Sequence, residues 1–221
     1  VSEPGFDYRV RRSDRARRVR VRVDAAHGVE VVLPRRAAER EAAAAIRELR
    51  PWIERRIAEL RRTREAVAAR GASVPYLGET LALVAEPGRT RVHRRGGTLH
   101  VPGGGEDHRP ALERWFRRQA RAEIAPRLDA ATAAAGTAYA GLTIRGQRTR
   151  WASCSASGAM SFNWRLLLAP APVLDYVVWH EVCHLEVMDH SPRFWALLAD
   201  RCPAYSDHAG WLRRHGATLV L

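Results

Sequence analysis

From Tyr8 onward the chain alternates polar and apolar positions. The apolar residues fall at Val10, then at Val19, Val21 and Val23, then at Val29, Val31 and Leu33. This is the two-residue period of strands with one buried face. A turn at Ala26-His27-Gly28 makes a hairpin of the last two runs, and Pro34 ends the ladder. From Ala37 to about Arg70 the period lengthens: Ile46, Leu49, Ile53, Ile57 and Leu60 draw one apolar stripe along a helix. Pro51 interrupts the stripe, which predicts a short helix and then a longer one over Trp52–Ala69 with the proline in its first turn. Strand periodicity returns over Thr80–Ala85, Thr90–Arg94 and Thr98–Val101, with turns at Pro87-Gly88 and Gly96-Gly97. Gly103-Gly104-Gly105 then reads as a flexible joint. No Lys-Ser/Thr follows it, as a phosphate cradle would require.

The second half begins with a helix over Arg109–Ala134, whose buried stripe is Leu112, Trp115, Phe116, Ala120, Ile124 and Leu128; Pro126 is expected to kink or divide it. Strands follow at Ala138–Ile144, Arg150–Ser153 and Ala159–Trp164, the last two joined by a turn at Ser155-Ala156-Ser157-Gly158. Pro170 and Pro172 lead into a helix whose start is apolar (Val173, Leu174, Tyr176, Val177, Val178, Trp179), with Asp175 near its positive end. Ser191-Pro192 opens a further helix over Arg193–Arg201, and a last one near Ser206–His215 stops at Gly216. The pattern is α+β: a β-rich N-terminal part with a long helix, residues 1–105, and a second portion, residues 106–221, the two expected to pack as one unit.

Tyr176–His190, YVVWHEVCHLEVMDH, carries the candidate chemistry. On a helix His180 and His184 lie one turn apart on one face, so both imidazoles can reach one divalent ion. Glu181 sits about 100° further round, placed to hydrogen-bond water without being a ligand. If the helix ends near Met188 and the chain turns back, His190 supplies a third ligand. Three neutral imidazoles leave a tetrahedral ion one open position, the catalytic arrangement. Zinc suits nitrogen ligands; nickel, cobalt and iron are compatible too. The reaction class is metal-assisted hydrolysis, with a peptide bond as the first substrate class and Glu181 as the base. A small amide or ester is the second reading. A binding module holding a structural ion, with nucleic acid as its partner, is the third. Cys183 has two readings as well, a ligand that closes the site or a core residue. Tyr205, His208, Arg148 and Arg150 are candidates for steadying the oxyanion. The strand ending at Asn163 and Trp164 is a candidate cleft wall for an extended substrate, although Trp164 also reads as core.

Composition changes this picture little. The chain has 221 residues, 46% of them apolar, and a formal charge of +13 carried by arginine alone among Lys and Arg. Such charge attracts polyanions, yet the arginines are scattered among acids and no nucleic-acid motif accompanies them. Arg18, Arg20 and Arg22 share an outward face that reads either as an anion-binding surface or, more simply, as a solvated sheet face. No run of 18 apolar residues is present, so no membrane span is expected. The first residues lack the apolar core of a secretory signal. The three widely spaced cysteines, Cys154, Cys183 and Cys202, show no disulfide framework, which fits a reducing cytoplasm. A monomer is the simplest state.

Two longer segments carry a family likeness. RTRWASCSASGAMSFNWRLLLAP (Arg148–Pro170) and DYVVWHEVCHLEVMDHSPRFWALL (Asp175–Leu198) resemble the YgjP-like, or DUF45, metallopeptidase domain, a group related to SprT-like and WLM zincins. Tyr8–Val32 and PYLG at Pro75–Gly78 extend the likeness over nearly the whole chain. The resemblance implies a zincin-like domain with an HExxH active-site helix in a cytoplasmic hydrolase acting on protein or peptide. It also implies that His180, His184 and His190 hold zinc and that Glu181 is the catalytic base. Ala152 stands where glycine is commoner in the family, and Cys183 where alanine is commoner. Neither departure touches the implied ligands.

Overall fold

The computed structural model describes residues 5–24, 27–103, 107–147 and 149–221. Ala26 of the first expected turn, Gly104 and Gly105 of the glycine run, and Arg148 lie outside the described residues. The chain divides into two compact units, Val1–Ala69 and Arg70–Leu221.

In the first unit, β1 (Tyr8–Ser13), β2 (Arg20–Asp24) and β3 (Gly28–Pro34) form a sheet with β3 in the centre. β2 and β3 are the expected antiparallel hairpin, whereas β1 pairs with β3 in parallel. Val29, Val31 and Leu33 of β3 point to one face and meet Ala42, Ile46 and Ile53 of α1 (Glu39–Ala68) in a core of their own. α1 is one continuous helix that contains Pro51, where the sequence pattern suggested two. The proline is exposed, so the carbonyl that loses its partner can turn to water, and the long flanking stretches hold the helix together.

The second unit starts with a four-stranded sheet in the order β4 (Ser73–Tyr76), β5 (Glu79–Glu86), β7 (Thr98–Pro102), β6 (His93–Arg95). Leu77 and Gly78, both at positive φ (52° and 98°), make the β4–β5 turn. The Leu77 N–H donates to the carbonyl of Leu167 at 2.7 Å, and its carbonyl accepts from the N–H of Ala171 at 3.3 Å. This turn therefore anchors the chain that enters the next helix but one. α2 (Arg109–Ala134) buries all six predicted stripe residues and runs through Pro126 undivided. It touches both β7 and a second sheet, in the order β8 (Gly141–Arg145), β10 (Ala159–Asn163), β9 (Ala152–Cys154). A short 3-10 helix (Trp164–Leu168) leads to α3 (Ala171–Cys183), α4 (Pro192–Arg201) and α5 (Tyr205–His215). One continuous core joins these elements, from Val74 through Phe116, Phe162 and Leu174 to Leu219. Asp175 lies beyond the first turn of α3, where it pairs with Arg127 of α2 at 2.9 Å. No helix among the described residues is long and apolar enough to cross a membrane.

Candidate metal centre

α3 is the element on which the site rests. Apart from its exposed Asp175, it is almost wholly apolar up to His180, with Val173, Leu174, Val177 and Val178 buried. Its polar ending is therefore fixed by a core rather than by its own helix propensity. The helix stops at Cys183, with His184 as its C-cap, rather than near Met188. The reason is a tight reversal in which the N–H groups of Glu186 and Val187 both donate to the carbonyl of Cys183, at 3.1 and 2.9 Å. That early stop brings the chain back within eight residues and delivers His190 to the other two histidines.

One nitrogen from each of His180, His184 and His190 lies within 4.8 Å of the other two. The Nε2 atoms of His180 and His190 are 3.1 Å apart. Tetrahedral zinc with Zn–N of 2.0–2.1 Å would want about 3.3 Å between ligands, close to that spacing. His184 Nδ1 is 3.0 Å from the carbonyl of Val187. A carbonyl only accepts, which assigns the proton to Nδ1 and leaves Nε2 with its lone pair free. Burial, with His184 and His190 nearby, pushes His180 down to about 4, and burial likewise lowers His184. Both rings are thus in the neutral form that binds metal. Buried His180 Nδ1 and Glu181 Oε2 have no hydrogen-bond partner among the described residues. Orphaned buried polar atoms are rare in proteins and cluster where something is to be held or transformed. The donor set fits a divalent transition metal.

Aromatic rings frame the histidines. Phe194 stacks on His184 (4.5 Å, 26°) and meets His180 and His190 edge-on. Trp195 stacks on His190 (5.5 Å, 30°), and Tyr205 stacks on Trp195 (5.7 Å, 25°). Tyr176 links His180 to His208, with ring centroids 6.0 and 6.4 Å away. Tyr205 and His208, both on α5, therefore stand one ring removed from the cluster. Arg150 is exposed. Trp195 was not distinguishable in sequence from a core residue, since it follows inward-pointing Phe194 in a helix with an apolar side.

Glu181, the residue after His180 on α3, is buried, and burial raises its carboxyl to about 7 against the opposing pull of the Cys154 backbone N–H. That N–H comes from β9. Hydrogen bonds from Asn163 N to Trp151 O and from Ser155 N to Ala159 O fix the ladder alternation, so residues 152 and 154 turn their backbone groups away from β10. β10 itself lies between β8 and β9 and has no free edge. This corrects the expectation for Asn163 and Trp164: the Asn163 side chain caps the 3-10 helix by accepting from Arg165 N, and Trp164 is core. The open strand beside Glu181 is β9. Cys183 is fully buried, 3.9 Å from an Arg201 nitrogen, and is not among the clustered ligand atoms.

A profile of the family described as "YgjP-like, metallopeptidase domain" matches residues 17–215. The chain belongs to the YgjP-like metallopeptidase-domain family. The crystal structure of the metallopeptidase zymogen of Pyrococcus abyssi abylysin aligns at 21% identity over 39% of this chain and 90% of that one, with a TM-score of 0.34. No curated protein matches. YgjP-like membership supports a metal-dependent hydrolase, and the three-histidine cluster is a place where its ion can be held.

Proposed function

We propose that this YgjP-like protein is a zinc-dependent metallopeptidase. His180, His184 and His190 hold the ion and Glu181 serves as general base. The observation that carries the reading is the convergence of three imidazole nitrogens, with a buried, unpartnered carboxylate oxygen on the residue that follows His180.

His180, His184 and His190 would hold a divalent ion, which would supply a Lewis acid for acidifying water near neutral pH and polarising a carbonyl. The rest falls to the chain's own groups. Glu181 accepts the proton of the attacking water and delivers it to the departing amine. Its burial keeps it basic enough for the first task and acidic enough for the second. The Val187 carbonyl holds His184 in one tautomer. β9 offers the outward backbone groups of Ala152, to which an extended peptide can add as a further strand, and this favours a peptide over a small amide. Tyr205 and His208, each one ring removed from the histidines, are the α5 side chains assigned to steady a developing oxyanion.

The test is Glu181→Gln, assayed with an unstructured protein substrate, with bound metal quantified in the same samples. General-base removal should lower kcat by about 10²–10⁴ while zinc content stays at the wild-type level. Undiminished hydrolysis by metal-loaded Glu181→Gln would rule out this base.

A further inference from the structure

The segment from Arg9 to Arg22 holds eight arginines (9, 11, 12, 15, 17, 18, 20 and 22) against a single acid, Asp14. All eight are exposed. Strand pairing assembles four of them on one surface. On β3, Val29, Val31 and Leu33 face the core, so Glu30 and Val32 face the other way. The register sets Arg9 and Arg22 on either side of Glu30, and Arg11 and Arg20 on either side of Val32. Ladder geometry roots these four side chains at the corners of a rectangle about 7 Å along the strands and about 10 Å across them. The loop between β1 and β2 adds Arg15, Arg17 and Arg18.

Neutralisation of this surface is slight. Glu30 pairs with Arg9 at 2.9 Å and with Arg11 at 3.3 Å, while Asp14 is taken by Arg35. Arg12 donates to the carbonyls of Arg35 and Ala37. Arg15, Arg17, Arg18, Arg20 and Arg22 have no carboxylate partner among the described residues. A solvated face would intersperse both signs, because a run of like charge raises self-repulsion in the folded state. Asp24, at the end of β2, is the other carboxylate on this side.

We propose that this arginine face binds the phosphodiester backbone of a nucleic-acid duplex without reading its sequence. A duplex presents one negative charge per about 1.7 Å of axis, a density that a row of arginine forks matches through charge-assisted hydrogen bonds. The strand residues on this face are not aromatic, which removes the stacking platform that single strands need. Val32 is only 3% exposed beneath the arginines, so no apolar side chain stands ready to insert into a bilayer.

The experiment is fluorescence anisotropy of the full chain with a labelled 20-base-pair duplex across a salt series. Neutralising about five phosphates gives a slope of log K on log salt near −4.5. Replacing Arg17, Arg18, Arg20 and Arg22 together with Gln should make the slope shallower by about 3.6 and weaken binding at least tenfold. The loop pair Arg17→Gln, Arg18→Gln, outside the strands, should give about half that change in slope and covers the case in which the fourfold variant folds poorly. An equal-charge control changes Arg47, Arg55, Arg61 and Arg62, exposed on α1, to Gln and should stay within about threefold of wild type. Equal loss in the control would overturn a localised face. So would tighter binding to phosphatidylserine vesicles or polyglutamate than to the duplex, or no binding in 50 mM salt.

Discussion

Trp195 stands where a single residue can steady the candidate metal centre without being one of its ligands. His190 is exposed and lies on an eight-residue loop between α3 and α4, so nothing in its own backbone holds the ring still. Trp195 stacks on it and is stacked in turn by Tyr205. A stacked aromatic pair contributes about 0.5–1.5 kcal/mol beyond area burial, and at about 1.4 kcal/mol per tenfold its loss is a factor of roughly two to ten in metal affinity. Trp195→Ala should weaken zinc binding by that factor in a chelator competition, and Trp195→Phe should recover most of it. If Trp195→Ala lowers thermal stability but leaves zinc affinity at the wild-type value, the ring only fills space. Cys183, by contrast, lies in the middle of the motif and takes no part: its sulfur is turned into the core beside Arg201.

At the scale of elements, the two internal prolines show where periodicity can be trusted. Pro51 deletes one N–H, yet α1 carries 30 residues through it. A proline in a helix interior costs about 3 kcal/mol relative to alanine, partly offset by about 0.4–1 kcal/mol through the stiffer unfolded chain. Pro51→Ala should therefore raise the stability of the first unit by about 2 kcal/mol, read as a higher denaturation midpoint with unchanged slope. No gain would mean that the helix is already broken there in solution. The hydrophobic stripes of α1 and α2 were legible because each follows one period over many residues, and α2 has the bounds expected of it. Partner choice was not legible. Alternation places β1 in a sheet but does not say that it pairs in parallel with β3, because period two is the same for either direction. The meeting of the three histidines was legible from their spacing. The early end of α3 was not, since the two hydrogen bonds to Cys183 O come from a reversal that no residue type announces. The free edge at β9 likewise depends on the order of strands rather than on their composition.

At the scale of the molecule, the described residues form two cores that share no residue, one built on Val29, Val31 and Ile53 and the other running from Val74 to Leu219. All three histidines belong to the second unit. A ligand stabilises only the cooperative unit whose folded form binds it, by RT ln(1 + [L]/Kd), or about 4 kcal/mol at a thousandfold excess over Kd. Metal should accordingly protect one part of the chain and leave the other as it was. In hydrogen exchange with and without a chelator, amides of α3 and α4 should lose protection on metal removal, while those of β3 and the buried side of α1 keep theirs. The same separation should appear in calorimetry as a downward shift, on chelation, of the larger transition alone, since transition enthalpy scales with the number of residues unfolding. A uniform loss of protection across both units would show that they unfold as one. The metal would then stabilise the entire chain, and the boundary at Ala69 would carry no thermodynamic weight.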